Sequence, residues 1–151
     1  MSKHTYEELK QYPHIGYGYW NTNQMDKFYE TIDEHVIDHN AGETETGRVG
    51  VKKALDTVRA AFKDGGKYEV LDVIVDESRQ MISVFLKFGG FMEKDLFGIP
   101  PANKYVEWTE MRIMGIKNFK TVDHWAVLST NMLYQMGRVK PNDSDDVRES
   151  W

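Results

Sequence analysis

The chain has no cysteine. This removes disulfides, thiolate nucleophiles and cysteine-ligated zinc, and it fits a reducing, cytoplasmic setting. Long apolar runs are missing as well: no stretch approaches the roughly 18 residues of a membrane-spanning helix. The opening segment MSKHTYEELKQY is too polar for a secretory signal or an anchor, so no membrane role is expected. Positive charge is in deficit, with 19 Lys and Arg against 24 Asp and Glu, a formal net charge of −5. The basic residues are scattered, whereas nucleic-acid binding needs a clustered basic face, so nucleic acid is set aside as a partner. Internal repeats and low-complexity segments are absent.

What remains is ordinary globular material: 151 residues, 40% hydrophobic and 28% charged. A chain of this length buries very roughly 70% of its unfolded surface, enough for a core and a pocket. We expect one domain over residues 1–140 and an acidic, polar tail over 141–151.

Residues 5 to 20 begin as a helix, but Pro13, Gly16 and Gly18 argue against its second half. The spacing Met25, Phe28, Tyr29, Ile32, Val36 predicts a helix ending near Asp38, and Val51, Ala54, Leu55, Val58, Phe62 predicts another. From Tyr68 the period changes to two. YEVLDVIVDE, RQMISVFLKFGGF, KYVEWTEMRIMGI and FKTVDHWAV read as four strands, with DLFGIPPAN as a loop. A short last helix would carry Leu128, Met132, Leu133 and Met136. Helices, then antiparallel-looking strands, then one helix argue for an α+β domain with helices on one sheet face. The other face is then free to mediate dimerisation.

Four segments in order, YWNTNQMDKFYETIDEHVIDHN, GVKKALDTVRAAF, DLFGIPPANKYVEW and FKTVDHWAVLSTNMLYQMG, resemble the SnoaL-like polyketide cyclases of the nuclear-transport-factor-like superfamily. The resemblance rests on the Asp-His at 38–39, the Gly-Ile-Pro-Pro turn and the Asp-His-Trp at 123–125, and it spans about residues 19 to 137. It implies a cone: a strongly curved, mostly antiparallel sheet with helices packed on its concave face and an apolar cavity at the open end. It also implies a small apolar or aromatic ligand and no cofactor; a homodimer is expected through the uncovered sheet face. The family's best-known members close rings by aldol condensation. Their acid/base aspartate falls at Ala126 here, and a supporting histidine falls at Arg112. Some relatives carry Gly-Thr-His before the Pro-Pro turn, where this chain has Gly90-Phe91-Met92.

If those positions mark the pocket side, strand alternation puts His124, Glu110 and Trp108 there with Arg112 and Ala126. A Glu110–Arg112–His124 cluster would supply a base and a cation, and these three are the candidate catalytic residues. The bland alternative is a buried ion pair that satisfies the histidine. Asp38, His39, Met92, Phe97, Trp108 and Ala126 are the candidate ligand-pocket residues, with Trp108 and Phe97 placed to stack on a flat ligand. His35 and His39 form an H-x-x-x-H spacing, but the zincin glutamate is replaced by Val36, and no metal is expected. The function expected is cofactor-independent acid/base chemistry: cyclisation, isomerisation or hydrolysis. The alternatives are a non-catalytic ligand binder or a dimerisation module of the same fold.

Overall fold

A computed structural model describes residues 3–40, 47–129 and 131–137; the expected tail over 141–151 lies outside the described residues. The chain opens on α1 (Tyr6–Asn21), capped by Thr5, whose hydroxyl accepts from the Glu8 amide at 3.2 Å. Glu7 and Glu8 in its first turn favour the positive end of the helix dipole. Contrary to expectation, the helix runs through Pro13. Proline removes one backbone donor, yet Leu9, Tyr12, Pro13, Gly16, Tyr17 and Trp20 form one buried face that holds the helix in place.

The next segment also departs from expectation. Helix α2 covers only Met25–Glu30, and strand β1 (Ile32–Asp38) takes over where the helix was expected to continue. Ile32 and Val36 are buried on one side, and a spacing of four suits a strand face as well as a helix face. The β-branched residues Thr31, Ile32, Val36 and Ile37 favour the strand. His35 and His39 therefore never share a helix face. Helix α3 (Gly47–Ala61) turns Val51, Leu55 and Val58 inward.

Four strands follow as expected: β2 (Lys67–Asp76), β3 (Met81–Phe91), β4 (Tyr105–Lys117) and β5 (Lys120–Leu128). The closing helix α4 is shorter than expected, Asn131–Gln135, because Leu128 stays on β5. The sheet order is β1-β5-β4-β3-β2, antiparallel except for the parallel β1–β5 pair. Register breaks between Val70 and Asp72, between Gly115 and Ile116, and along β1 bend and twist the strands. The result is a strongly curved α+β sheet, with α1 lying against β2 and β3, and α3 against β1.

The concave face carries Val84, Leu86 and Phe88 from β3 and Val106, Trp108 and Met114 from β4, all buried. Trp20, 1% exposed, meets Phe28 and Tyr68 edge-on with centroids 5.3 and 5.2 Å apart. Its Nε1 donates to the Gly66 carbonyl at 3.1 Å. The convex face stays open: Val127, Met111 and Phe85 stand on adjacent strands in register and are 72%, 47% and 39% exposed. No helix among the described residues is long and apolar enough to cross a membrane.

Candidate active site

Between the helices and the β1–β5–β4 end of the sheet lies a cavity of about 120 Å³. Most of its wall is apolar: Pro13 and Gly16 from α1, Phe28 from α2, Ile32 and Val36 from β1, Val51 and Leu55 from α3. Against this background stand a few polar groups, Tyr12, Tyr17, Thr31, Asp38, Arg112, Thr121 and His124. An apolar hollow with convergent polar groups is the usual form of a small-molecule site.

Two charged arrangements face it. The first joins β1 to β5. Asp38 and His124 are register partners in the parallel pair, so their side chains leave the sheet together. His124 Nδ1 lies 3.4 Å from Asp38 Oδ1, and the Asn40 amide donates to that same oxygen at 3.0 Å. The His124 bond holds the Asp38 carboxyl below its ordinary pKa; burial opposes this, and the Asn40 amide adds to it.

The second is built on β4 by alternation. Arg112 Nε donates to Glu110 Oε1 at 2.8 Å, and Trp108 Nε1 donates to Glu110 Oε2 at 3.0 Å. Arg112 Nη2 reaches both Glu110 Oε1 and the Tyr68 hydroxyl, the latter at 3.1 Å. Burial works against the guanidinium charge, but Glu110, Tyr17 and Tyr68 more than restore it, so Arg112 stays protonated. Tyr17 lies beside it, its ring centre 5.9 Å from the guanidinium carbon. Burial pushes the Tyr17 phenol up to about 12 against the pull of Arg112, so its hydroxyl keeps its proton at neutral pH.

The cavity thus brings Arg112 and His124 together. Glu110 is buried behind Arg112 and outside the cavity wall. It is in register with Leu128, four residues beyond His124, a distance of roughly 13 Å along a strand. The charged partner of His124 is Asp38 instead.

Of the six expected pocket residues, only Asp38 lines this cavity. His39 turns to the other face, stacked on Trp125 at 4.0 Å with Nε2 3.1 Å from Asp123. Trp108 packs on Phe62 and Phe88 in the core, and Met92 is fully buried near Phe62. Phe97 is 66% exposed in the loop before the prolines. Ala126 sits opposite Arg112, with its backbone amide and carbonyl both bound by the Asn40 side chain.

Thr121 enters the wall because β5 bulges at Val122: Gly115 pairs with Asp123, but Ile116 pairs with Thr121. That slip puts Thr121 and His124, three apart, on one side, where simple alternation would put Val122. Tyr12, Tyr17 and Gly16 were missed as site residues. The available signal was the inward face of α1, obscured by the doubt about Pro13.

Fold and cavity together define a cone-shaped α+β protein. The chain belongs to the SnoaL-like polyketide cyclase family, whose model matches residues 17–135. Comparison with curated protein sequences gives no match. Among solved structures, TsrD from Streptomyces laurentii is similar with a TM-score of 0.78 at 16% identity, over 91% of this chain and 100% of that one. AclR, a candidate hydroxylase from Streptomyces galilaeus, gives 0.76 at 17% identity, over 89% and 99%. IdmH, a candidate polyketide cyclase from Streptomyces antibioticus, gives 0.66 at 21% identity, over 80% and 92%. At these identities the likeness speaks for the fold.

Proposed function

We propose that this chain is a cofactor-independent acid–base enzyme acting on a small, apolar, oxygenated ligand. Its elementary step is proton transfer at the carbon next to a carbonyl, a step common to cyclisation and isomerisation. The observation that carries this reading is the convergence of the Asp38–His124 pair and Arg112 on one apolar cavity. His124 Nδ1–H donates to Asp38, which leaves the Nε2 lone pair as the base. The α C–H bond breaks toward Nε2, and its electron pair moves onto the carbonyl oxygen. Arg112, with Tyr17 beside it, stabilises the charge that develops there. Ala126 stands where the resemblance places the aldol cyclases' acid/base aspartate, so the proton-moving role falls to His124. Glu110 acts through Arg112, by fixing the guanidinium. The proposal keeps the cytoplasmic setting expected from the sequence.

The test is α-proton exchange of simple ketones in D₂O, followed by NMR with wild type and His124→Ala. The variant is expected to lose about 10²–10⁴-fold of the enzyme-dependent rate, the usual contribution of a positioned general base. An unchanged rate would remove His124 from the mechanism. If ketones bind but wild type never exceeds the buffer rate, the non-catalytic binder reading takes over.

We further propose that a second copy of the chain covers the convex sheet face. The in-register ladder Val127–Met111–Phe85 supports this, because an exposed apolar patch suits a self-complementary twofold contact. Met111→Glu is expected to turn a dimer into a monomer in sedimentation velocity. A monomeric wild type, or a dimer indifferent to the glutamate, would count against it.

A further inference from the structure

We infer that the cavity admits only a single uncharged ring, or a carbonyl chain of similar size, and that Gly16 on α1 sets this limit. The chemistry assigned to such a ligand rests on the acid–base reading above; the size and charge limits rest on the walls themselves. At about 120 Å³ the hollow falls below the roughly 300–1,000 Å³ of sites that enclose a whole drug-sized ligand. It is near the roughly 150 Å³ of an apolar cavity that holds benzene. A fused multi-ring skeleton does not fit inside it.

Gly16 is buried in the wall, and it has none of the positive φ that would call for glycine. A Cβ built there comes no closer to any neighbour than 3.9 Å, at Thr31 Oγ1, so the helix has room for a side chain. Glycine within a helix is less stable than alanine, and no backbone requirement here offsets that. What the missing side chain leaves is space in the same cavity that Asp38 and His124 line.

Charge narrows the ligand further. Among the described residues Arg112 is the one Lys or Arg in the wall, and Glu110 already matches its charge. Asp38 adds a carboxylate that His124 occupies. A ligand carboxylate would enter a low-dielectric space whose described lining offers no unmatched Lys or Arg, which is costly. A neutral ketone or ester avoids that cost and develops charge at its oxygen only as the proton leaves.

The experiment measures α-deuterium exchange and NMR-detected binding in parallel for cyclohexanone, β-tetralone, anthrone, methyl acetoacetate and acetoacetate. Each exchange rate is taken relative to that probe's own buffer rate. Cyclohexanone should exceed β-tetralone, and the methyl ester its free acid, by about tenfold or more in both readouts, with anthrone inert. Gly16→Leu should remove cyclohexanone binding, Gly16→Ala should weaken it, and Leu55→Ala, which widens the same wall, should bring β-tetralone in. Circular dichroism establishes that each variant is folded; if Gly16→Leu does not fold, Gly16→Ala and Leu55→Ala decide. Equal handling of one-, two- and three-ring probes, or of ester and acid, overturns the inference while leaving the acid–base reading intact. Size-graded binding without exchange supports the inference and overturns the acid–base reading. Absence of both binding and exchange for every probe overturns both.

Discussion

Replacing Glu110 with alanine is expected to cost about 3–5 kcal/mol of folding free energy, the usual result of leaving a buried charge without its partner. Glu110 is 3% exposed and Arg112 is 9% exposed, so the lost contact is shielded from bulk water. The Glu110 carboxylate accepts from Arg112 Nε and Nη2 through one oxygen and from Trp108 Nε1 through the other. Removing it strands a guanidinium and an indole N–H together in a cavity-lined core. In a protein of this size the loss corresponds to a fall of about 10 °C in the melting temperature. A second variant separates charge from packing. Glu110→Leu combined with Arg112→Met removes both charges, and buried pairs exchanged for apolar groups are often neutral or stabilising. The double variant should therefore be more stable than Glu110→Ala in urea denaturation. A single variant within about 1 kcal/mol of wild type would mean that water or a shifted side chain solvates Arg112.

The same pair shows why some of the site was legible and some was not. Glu110, Arg112 and Trp108 are two residues apart on one strand, and alternation alone puts them on one face, where the structure has them. Alternation carries no distance between strands. It could not show that Glu110 lies two rung-pairs from His124 while Arg112 lies diagonally beside it. The Asp38–His124 contact was beyond reach for another reason: it joins residues 86 apart in the chain through a parallel pairing with no hairpin to mark its register. It also depends on β1 being a strand. Ile32 and Val36, four apart, fit either periodicity, and the helical reading of Met25–Tyr29 ran on into them. Strands β2 to β5 were clear from their period of two, bounded by short turns at residues 77–80 and 118–119 and by the proline-marked loop between β3 and β4. The bulge at Val122 was not, since one inserted residue leaves no compositional trace and changes which side chains reach the cavity. In α1 the warning from Pro13 was sound as local chemistry, but tertiary burial of six residues along one face outweighed it.

Trp20→Ala is expected to be the most damaging single truncation, at about 3–5 kcal/mol for the lost ring alone. The side chain is 1% exposed and packs edge-on against Phe28 and Tyr68. The Arg59 guanidinium covers its ring at 5.1 Å. The loss does not end at the cavity left behind. The Gly66 carbonyl loses the Nε1–H donor, a further cost of about 1–3 kcal/mol if it stays unpaired. Trp20→Phe separates the two contributions, because it keeps most of the ring contact and removes only the donor. Equilibrium unfolding should order the proteins as wild type, Trp20→Phe, then Trp20→Ala. Should the phenylalanine variant match wild type, the indole hydrogen bond contributes nothing and packing accounts for the whole effect. The two neighbours of Trp20 also carry the consequence to the site. Phe28 lines the cavity, and Tyr68 accepts from Arg112. A tryptophan that never touches the ligand thereby braces both an apolar wall and the guanidinium. In Trp20→Ala protein kept folded by low temperature, ketone binding should weaken, whereas truncating an equally buried residue away from both, such as Val106, which pairs with Gly90 at the other end of β4, should lower stability and leave binding in the folded fraction unchanged.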